Sequence, residues 1–182
     1  SQYHNGVGET SDYSDQSIAV NDSVPLSTPD AVFESARWDP SNGEELQWEF
    51  PVEAGKNVTV RLYFVDAYSG TDQPGDRVFD VAIEGETKLD DYDIVADVGP
   101  DTGTMKSFTV TSDGTVNVDF DHVTQNPIVA GVEIVEAGDQ TTNLAPQLDP
   151  VEDQSVTENE TKTVQVTASD PNGDAINLTA SN

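Results

Sequence analysis

Apolar residues recur at every second position through much of this chain. Leu46, Trp48, Phe50 and Val52 alternate with polar neighbours, and Val58, Val60, Leu62 and Phe64 do the same. Shorter runs follow at Val78 to Ile83, Phe108 to Val110, Val116 to Phe120 and Ile128 to Val135. A period of two over four to eight residues predicts strands with one buried face. Turn residues separate the runs: Glu53-Ala54-Gly55, Ser69 to Gly75, Glu84-Gly85-Glu86 and Ser112-Asp113-Gly114. Many short strands punctuated in this way predict an all-β chain built as an antiparallel sandwich or barrel. No stretch keeps helical periodicity over three turns.

The pattern breaks after residue 138. Residues 139–146 are polar and end in Asn143-Leu144-Ala145-Pro146, where proline cannot donate to a ladder and suits a linker. Val156, Val164, Val166, Ile176 and Leu178 then begin a second β pattern. The expected organisation is a first domain over 1–138, a linker over 139–146, and part of a second β-domain over 147–182. A free-standing immunoglobulin-like sandwich needs roughly 100 residues, so the second domain is expected to be incomplete.

Charge changes the picture most. Asp and Glu number 35 against 7 Lys and Arg, for a net charge of −28. Such a field repels nucleic-acid phosphates and anionic headgroups, which argues against nucleic-acid partners. It also opposes folding by self-repulsion, which molar salt screens as the Debye length falls to about 3 Å. A folded chain of this charge points to a hypersaline habitat. The acids are interleaved with regular apolar alternation, which argues against disorder. Cysteine is absent, so disulfides and thiolate metal sites are excluded. No apolar run reaches the roughly 20 residues of a membrane span, so no membrane insertion is expected. Ser1 opens no signal-peptide pattern, as expected of a mature form or a fragment. Asn21, Asn57, Asn159 and Asn177 each stand in an N-x-Ser/Thr triplet and are candidate glycosylation sites of a secreted or surface protein.

Catalysis fits poorly. His4 lies in the N-terminal stretch, His122 just after a predicted strand, and neither stands beside a nucleophile. Asp119 and Asp121 flank Phe120 and are expected on a solvated strand face. Asp170-Pro171-Asn172-Gly173-Asp174 offers oxygen ligands but lacks the spacing of an EF-hand loop, and reads as a turn. No metal or other cofactor is implied. The aromatics say more, because sugars stack their C–H faces on rings while polar neighbours bind their hydroxyls. Trp48, Phe50, Phe64, Phe79, Phe108 and Phe120 fall within strand alternation and are expected in the core. Tyr13, Trp38 and Tyr68 lie in loop-like sequence and form a candidate binding set exposed on the rim.

Several blocks agree, in order and spacing, with one family. Tyr63-Phe64-Val65-Asp66-Ala67-Tyr68 is followed by Arg77-Val78-Phe79-Asp80-Val81-Ala82-Ile83-Glu84-Gly85, by Leu89-Asp90-Asp91-Tyr92-Asp93-Ile94 and Val98-Gly99, and by Asn126-Pro127-Ile128-Val129-Ala130-Gly131-Val132-Glu133-Ile134. Over roughly residues 8–136 the chain resembles the malectin family. That resemblance implies a jelly-roll-like sandwich that binds glucose-containing oligosaccharides without metal or catalysis. Ser11-Asp12-Tyr13 matches a block whose tyrosine binds sugar, and Trp38 ends a block that supplies a second binding aromatic. Tyr68-Ser69 stands where the family has a Tyr-Phe pair. Gln125 takes the place of a binding aspartate before Asn126-Pro127, and an amide both donates and accepts hydrogen bonds. The implied site is thus Tyr13, Trp38, Tyr68, Ser69, Gln125 and Asn126.

Malectin-like domains begin with a strand upstream of what is Ser1 here, and that strand is expected to be absent or supplied by another chain. The tail blocks Asp153 to Glu158 and Val166 to Asp174 look like the opening half of a cadherin-like or immunoglobulin-like extracellular repeat. Two functions follow. The first is a carbohydrate-binding module of a secreted or cell-surface protein, its partner an oligosaccharide or glycan. The second is a structural or adhesive subunit of a filament, surface layer or virion, self-assembling through open sheet edges.

Overall fold

The computed structural model describes residues 8–40, 45–137, 147–148, 151 and 153–169. The chain divides into two units, residues 1–139 and 140–182. The first unit holds β1 (Glu9–Asp12), β2 (Ala19–Val20), a 3-10 turn (Asp30–Phe33), β3 (Ser35–Trp38), β4 (Gln47–Pro51) and β5 (Asn57–Phe64). It continues with β6 (Val78–Ile83), β7 (Glu86–Tyr92), the short helix α1 (Ile94–Val98), β8 (Thr102–Thr111), β9 (Thr115–Thr124), β10 (Ile128–Val129) and β11 (Gly131–Glu136). One sheet runs β11-β5-β8-β2, a second β4-β9-β6-β7, and a small third β1-β3-β10. All pairings are antiparallel except β2 with β8. The fold is an all-β sandwich.

The alternation dictates which faces meet. Val58, Val60, Leu62 and Phe64 point from β5 into one core with Phe79, Val81 and Ile83 of β6 and with Val116, Val118 and Phe120 of β9. A chain of rings crosses between the sheets. Phe64 lies 5.9 Å from Phe79 and 5.1 Å from Tyr92, and Phe79 lies 6.2 Å from Phe120. Phe120 in turn meets Trp48 edge-on at 5.5 Å, an arrangement aromatic quadrupoles favour. Phe50 and Phe108 are only half-buried, packed against the margin of this core. The other face of β5 is covered too, because the stretch before β3 lies over it: Phe33 meets Tyr63 edge-on at 6.1 Å.

Four strands carry no clear alternation in the sequence: β1, β2, β3 and β7. The first three are two to four residues long. β7 is an edge strand with five of its seven side chains polar, as protected edges are. Its hairpin with β6 turns on Glu84 and Gly85, whose φ angles of 54° and 71° are the successive positive values a two-residue type I′ turn requires. His122 is placed differently from expectation. It lies within β9, opposite Phe79, because the ladder with β6 extends that strand to Thr124.

Asp119 of β9 is half-buried, while Asp121 is exposed as expected of a solvated face. Burial raises the Asp119 carboxyl above the ordinary aspartate range, and neighbouring Asp121 adds to the rise. A raised folded-state pKa means that the folded chain holds this proton longer than the unfolded one. The resulting cost is absent below the ordinary value of about 4 and grows as pH rises through the raised value. Asp119→Asn is expected to raise the melting temperature at neutral pH and to flatten its decline across that window, as read by thermal melts between acid and neutral pH.

In the second unit, β12 (Gln147–Leu148) pairs antiparallel with β13 (Ala168–Ser169). Val151, Val156, Val164 and Val166 are exposed. The expected linker, 139–146, lies outside the described residues, as do His4, Asn177 and the 170–174 turn.

Candidate functional site

Three loops and one short sheet meet at one end of the sandwich. Trp38, the last residue of β3, pairs with Glu9 of β1 on one side and Ile128 of β10 on the other. This ladder draws the 9–13 segment and the 125–128 turn to the same place. Gln125 has a φ of 60°, a left-handed turn that sets the direction of the chain into β10. The loop between β5 and β6 supplies Tyr68.

That loop is organised by a buried ion pair. Asp66 follows β5 and Arg77 precedes β6; Arg77 Nε lies 2.7 Å from Asp66 Oδ2, with the side chains 6% and 0% exposed. The Thr71 hydroxyl stands 2.9 Å from both Asp66 oxygens, and the Tyr68 amide donates to Oδ1 at 3.3 Å. Arg77 Nη2 donates to Thr71 Oγ1 at 3.3 Å, and Nη1 donates to the main-chain carbonyl of Asn126. One guanidinium thus ties the loop bearing Tyr68 to the turn bearing Gln125 and Asn126. Gly70 leaves the room that the Tyr68 ring fills: a Cβ there would sit 2.4 Å from its Cε1.

These elements enclose a cleft of about 300 Å³ lined by Ser11, Tyr13, Trp38, Tyr68, Arg77, Gln125, Asn126 and Ile128. A second cavity of about 620 Å³ adjoins it, sharing Ser11, Tyr13 and Tyr68 and adding Asp12, Asp72, Asp101 and Ser69 among others. The structure therefore brings together five of the six expected residues in one cleft, while Ser69 lines the adjoining cavity. The expectation of three exposed rings is corrected at Tyr13, which is only 4% exposed. Its amide donates to the Glu34 carbonyl at 2.7 Å, holding it under the stretch before β3. Trp38 is half-buried, and Tyr68 is 56% exposed.

Burial raises the Tyr13 phenol above its ordinary pKa, so it stays protonated at neutral pH. Among the described residues, the Asn126 Oδ1 is buried without a hydrogen-bond partner, and the Tyr13 hydroxyl has none beyond the nearby Ser11 side chain. A buried polar atom left unpaired costs about 1–3 kcal/mol. Both belong to residues that line the cleft.

Sequence reasoning missed Ser11, Ile128 and the pair Asp66 and Arg77 as parts of this site. Arg77 left one signal: it is one of only 7 basic residues in a chain with 35 acids. That cation, at a loop–strand junction, pairs with Asp66. Of the candidate glycosylation sites, Asn21, Asn57 and Asn159 are exposed.

Comparison with known proteins agrees with this fold. Over 67 residues the chain is 33% identical to Receptor-like protein 4 of Arabidopsis thaliana, covering 37% of this chain and 11% of that protein. Over 124 residues it is 30% identical to a sequence named as a receptor-like protein kinase of the same plant, covering 58% of this chain and 14% of that one. The chain thus spans about one-tenth to one-seventh of these curated relatives. Among solved structures, the ANX2 ectodomain of Arabidopsis thaliana superposes with a TM-score of 0.66 at 22% identity, over 79% of this chain and 44% of that one. That likeness shows the shared sandwich fold. The family model of the malectin domain matches residues 1–143, and the chain belongs to the malectin family.

Proposed function

We propose that this chain is a non-catalytic carbohydrate-binding module of a secreted or cell-surface protein, and that its ligand is an oligosaccharide held in the cleft between Trp38, Tyr68 and the 125–126 turn. The observation that carries this reading is the convergence of Tyr13, Trp38, Tyr68, Gln125 and Asn126, spread over more than a hundred positions, on one cleft. Tyr68 offers an exposed ring and Trp38 a half-exposed one for stacking on sugar C–H faces. Gln125 and Asn126 supply amides for hydroxyls. Asn126 Oδ1, unpartnered among the described residues, and the Tyr13 hydroxyl, beside Ser11, lie at its walls, where a small side-chain adjustment lets a ligand hydroxyl or a water bind them. Among the described residues, the one charged lining residue, Arg77, is spent on Asp66 and on a main-chain carbonyl. Such a lining stacks and hydrogen-bonds, and holds no nucleophile paired with a base.

The second unit is read as part of an immunoglobulin-like or cadherin-like repeat, the stretch between the units as a linker, and the exposed sequons as glycosylated. The charge of −28 supports a hypersaline environment, where salt screens the repulsion. The family match favours a binding module over the alternative of a strand-exchanging filament or virion subunit.

The test is a screen of gluco-oligosaccharides at molar salt, by calorimetry, with Trp38→Ala beside the wild type. Wild type is expected to bind at least one. Trp38→Ala should weaken it by about tenfold or more, which is about 1.4 kcal/mol, while the far-ultraviolet spectrum and cooperative melt persist. Equal binding by the variant would remove the cleft from consideration.

A further inference from the structure

We infer that Asp39, Glu45 and His122 form a binding site for one divalent transition-metal cation of the Zn²⁺ type, outside the proposed sugar cleft. The three come from separate elements: Asp39 follows β3, Glu45 precedes β4, and His122 lies in β9. One ligand atom from each lies within 4.8 Å of the others. His122 Nδ1 is 2.8 Å from Glu45 Oε2, and its Nε2 is 3.4 Å from the Asp39 main-chain oxygen. Metal bonds of about 2.0–2.1 Å at tetrahedral angles hold ligand atoms roughly 3.3 Å apart, so a shift of about an ångström closes this set around a cation.

A second observation sets the cluster apart from an exposed ion pair. Asp39 is 2% exposed, and among the described residues its carboxylate accepts one hydrogen bond, from the Leu46 amide at 2.6 Å. A carboxylate has about four acceptor sites and is costly to bury with so little compensation. Glu45 brings a second carboxylate to the same place, and a single imidazole faces the pair. A dication balances both carboxylates. One imidazole with two carboxylates is a borderline donor set that suits Zn²⁺ and its neighbours better than Ca²⁺, which prefers six to eight oxygens. The Asp39 amide also donates to the Pro127 carbonyl at 3.1 Å, linking the cluster to the turn that carries Gln125 and Asn126.

The experiment is calorimetric titration of the chelator-treated full chain with Zn²⁺, in a background of excess Ca²⁺ that occupies non-specific acidic surface. The expected result is one saturable Zn²⁺ site and a raised melting temperature. Affinity should fall about tenfold or more in His122→Gln, which leaves the acidic surface unchanged. Glu45→Gln, at a half-exposed position, gives the same comparison should the histidine variant misfold. No saturable Zn²⁺ site, or the same affinity in the folded variants, overturns the inference and leaves a plain His122–Glu45 hydrogen bond.

Discussion

Arg77→Ala is expected to cost about 3–5 kcal/mol of stability, because it strands Asp66 as a buried charge. Asp66 is fully enclosed and Arg77 nearly so, and the guanidinium is the cation against that carboxylate. The Thr71 hydroxyl and the Tyr68 amide remain, but two hydrogen bonds do not replace an ion pair in a low-dielectric site. Urea denaturation at constant molar salt measures the loss as a lower midpoint with an unchanged slope. The double variant Asp66→Asn/Arg77→Met is expected to regain much of it, since replacing both partners leaves no bare charge. A drop of under about 1 kcal/mol in Arg77→Ala would mean that water reaches Asp66. In folded protein, Arg77→Ala should also weaken any ligand of the cleft, because the Asn126 carbonyl loses the donor that ties its turn to the Tyr68 loop.

Phe79→Ala is expected to cost a comparable 3–5 kcal/mol, for a different reason. Phe79 sits at the crossing of the two sheets, with Phe64 at 5.9 Å, Tyr92 at 5.7 Å and Phe120 at 6.2 Å. Truncation removes the ring that three others pack against, and strands held in a ladder on both sides cannot collapse into the void. Phe79→Leu keeps most of the volume and should cost under about 2 kcal/mol. The ratio of the two losses, from the same urea titrations, distinguishes a cavity from a general weakening of the fold. Equal losses would mean that the ring's shape matters more than the space it fills.

The two sites differ in how much of them the sequence discloses. Trp38, Tyr13 and Tyr68 stand out as aromatics in polar, loop-like surroundings, and the family pattern marks the same positions. Their convergence rests on β3 pairing with β1, some two dozen positions away, and with β10, about ninety positions away. No local propensity encodes those contacts. Tyr13 shows the limit: a ring beside serine and aspartate reads as exposed, yet the stretch before β3 folds over it. Asp39, Glu45 and His122 carry no spacing motif at all, because two loop ends and a strand bring them together.

The sequence by itself determined β4, β5, β6 and β9, parts of β8, β10 and β11, the faces they bury and the turn at Glu84-Gly85. A period of two and a left-handed turn are local properties, and burying one face leaves little choice of register. Tertiary structure alone decided the short strands β1 to β3, the polar edge strand β7, the enclosure of Tyr13 and the tie between Asp66, Arg77 and Asn126. Each of these is stabilised by partners distant along the chain, through hydrogen bonds and burial that no single segment contains.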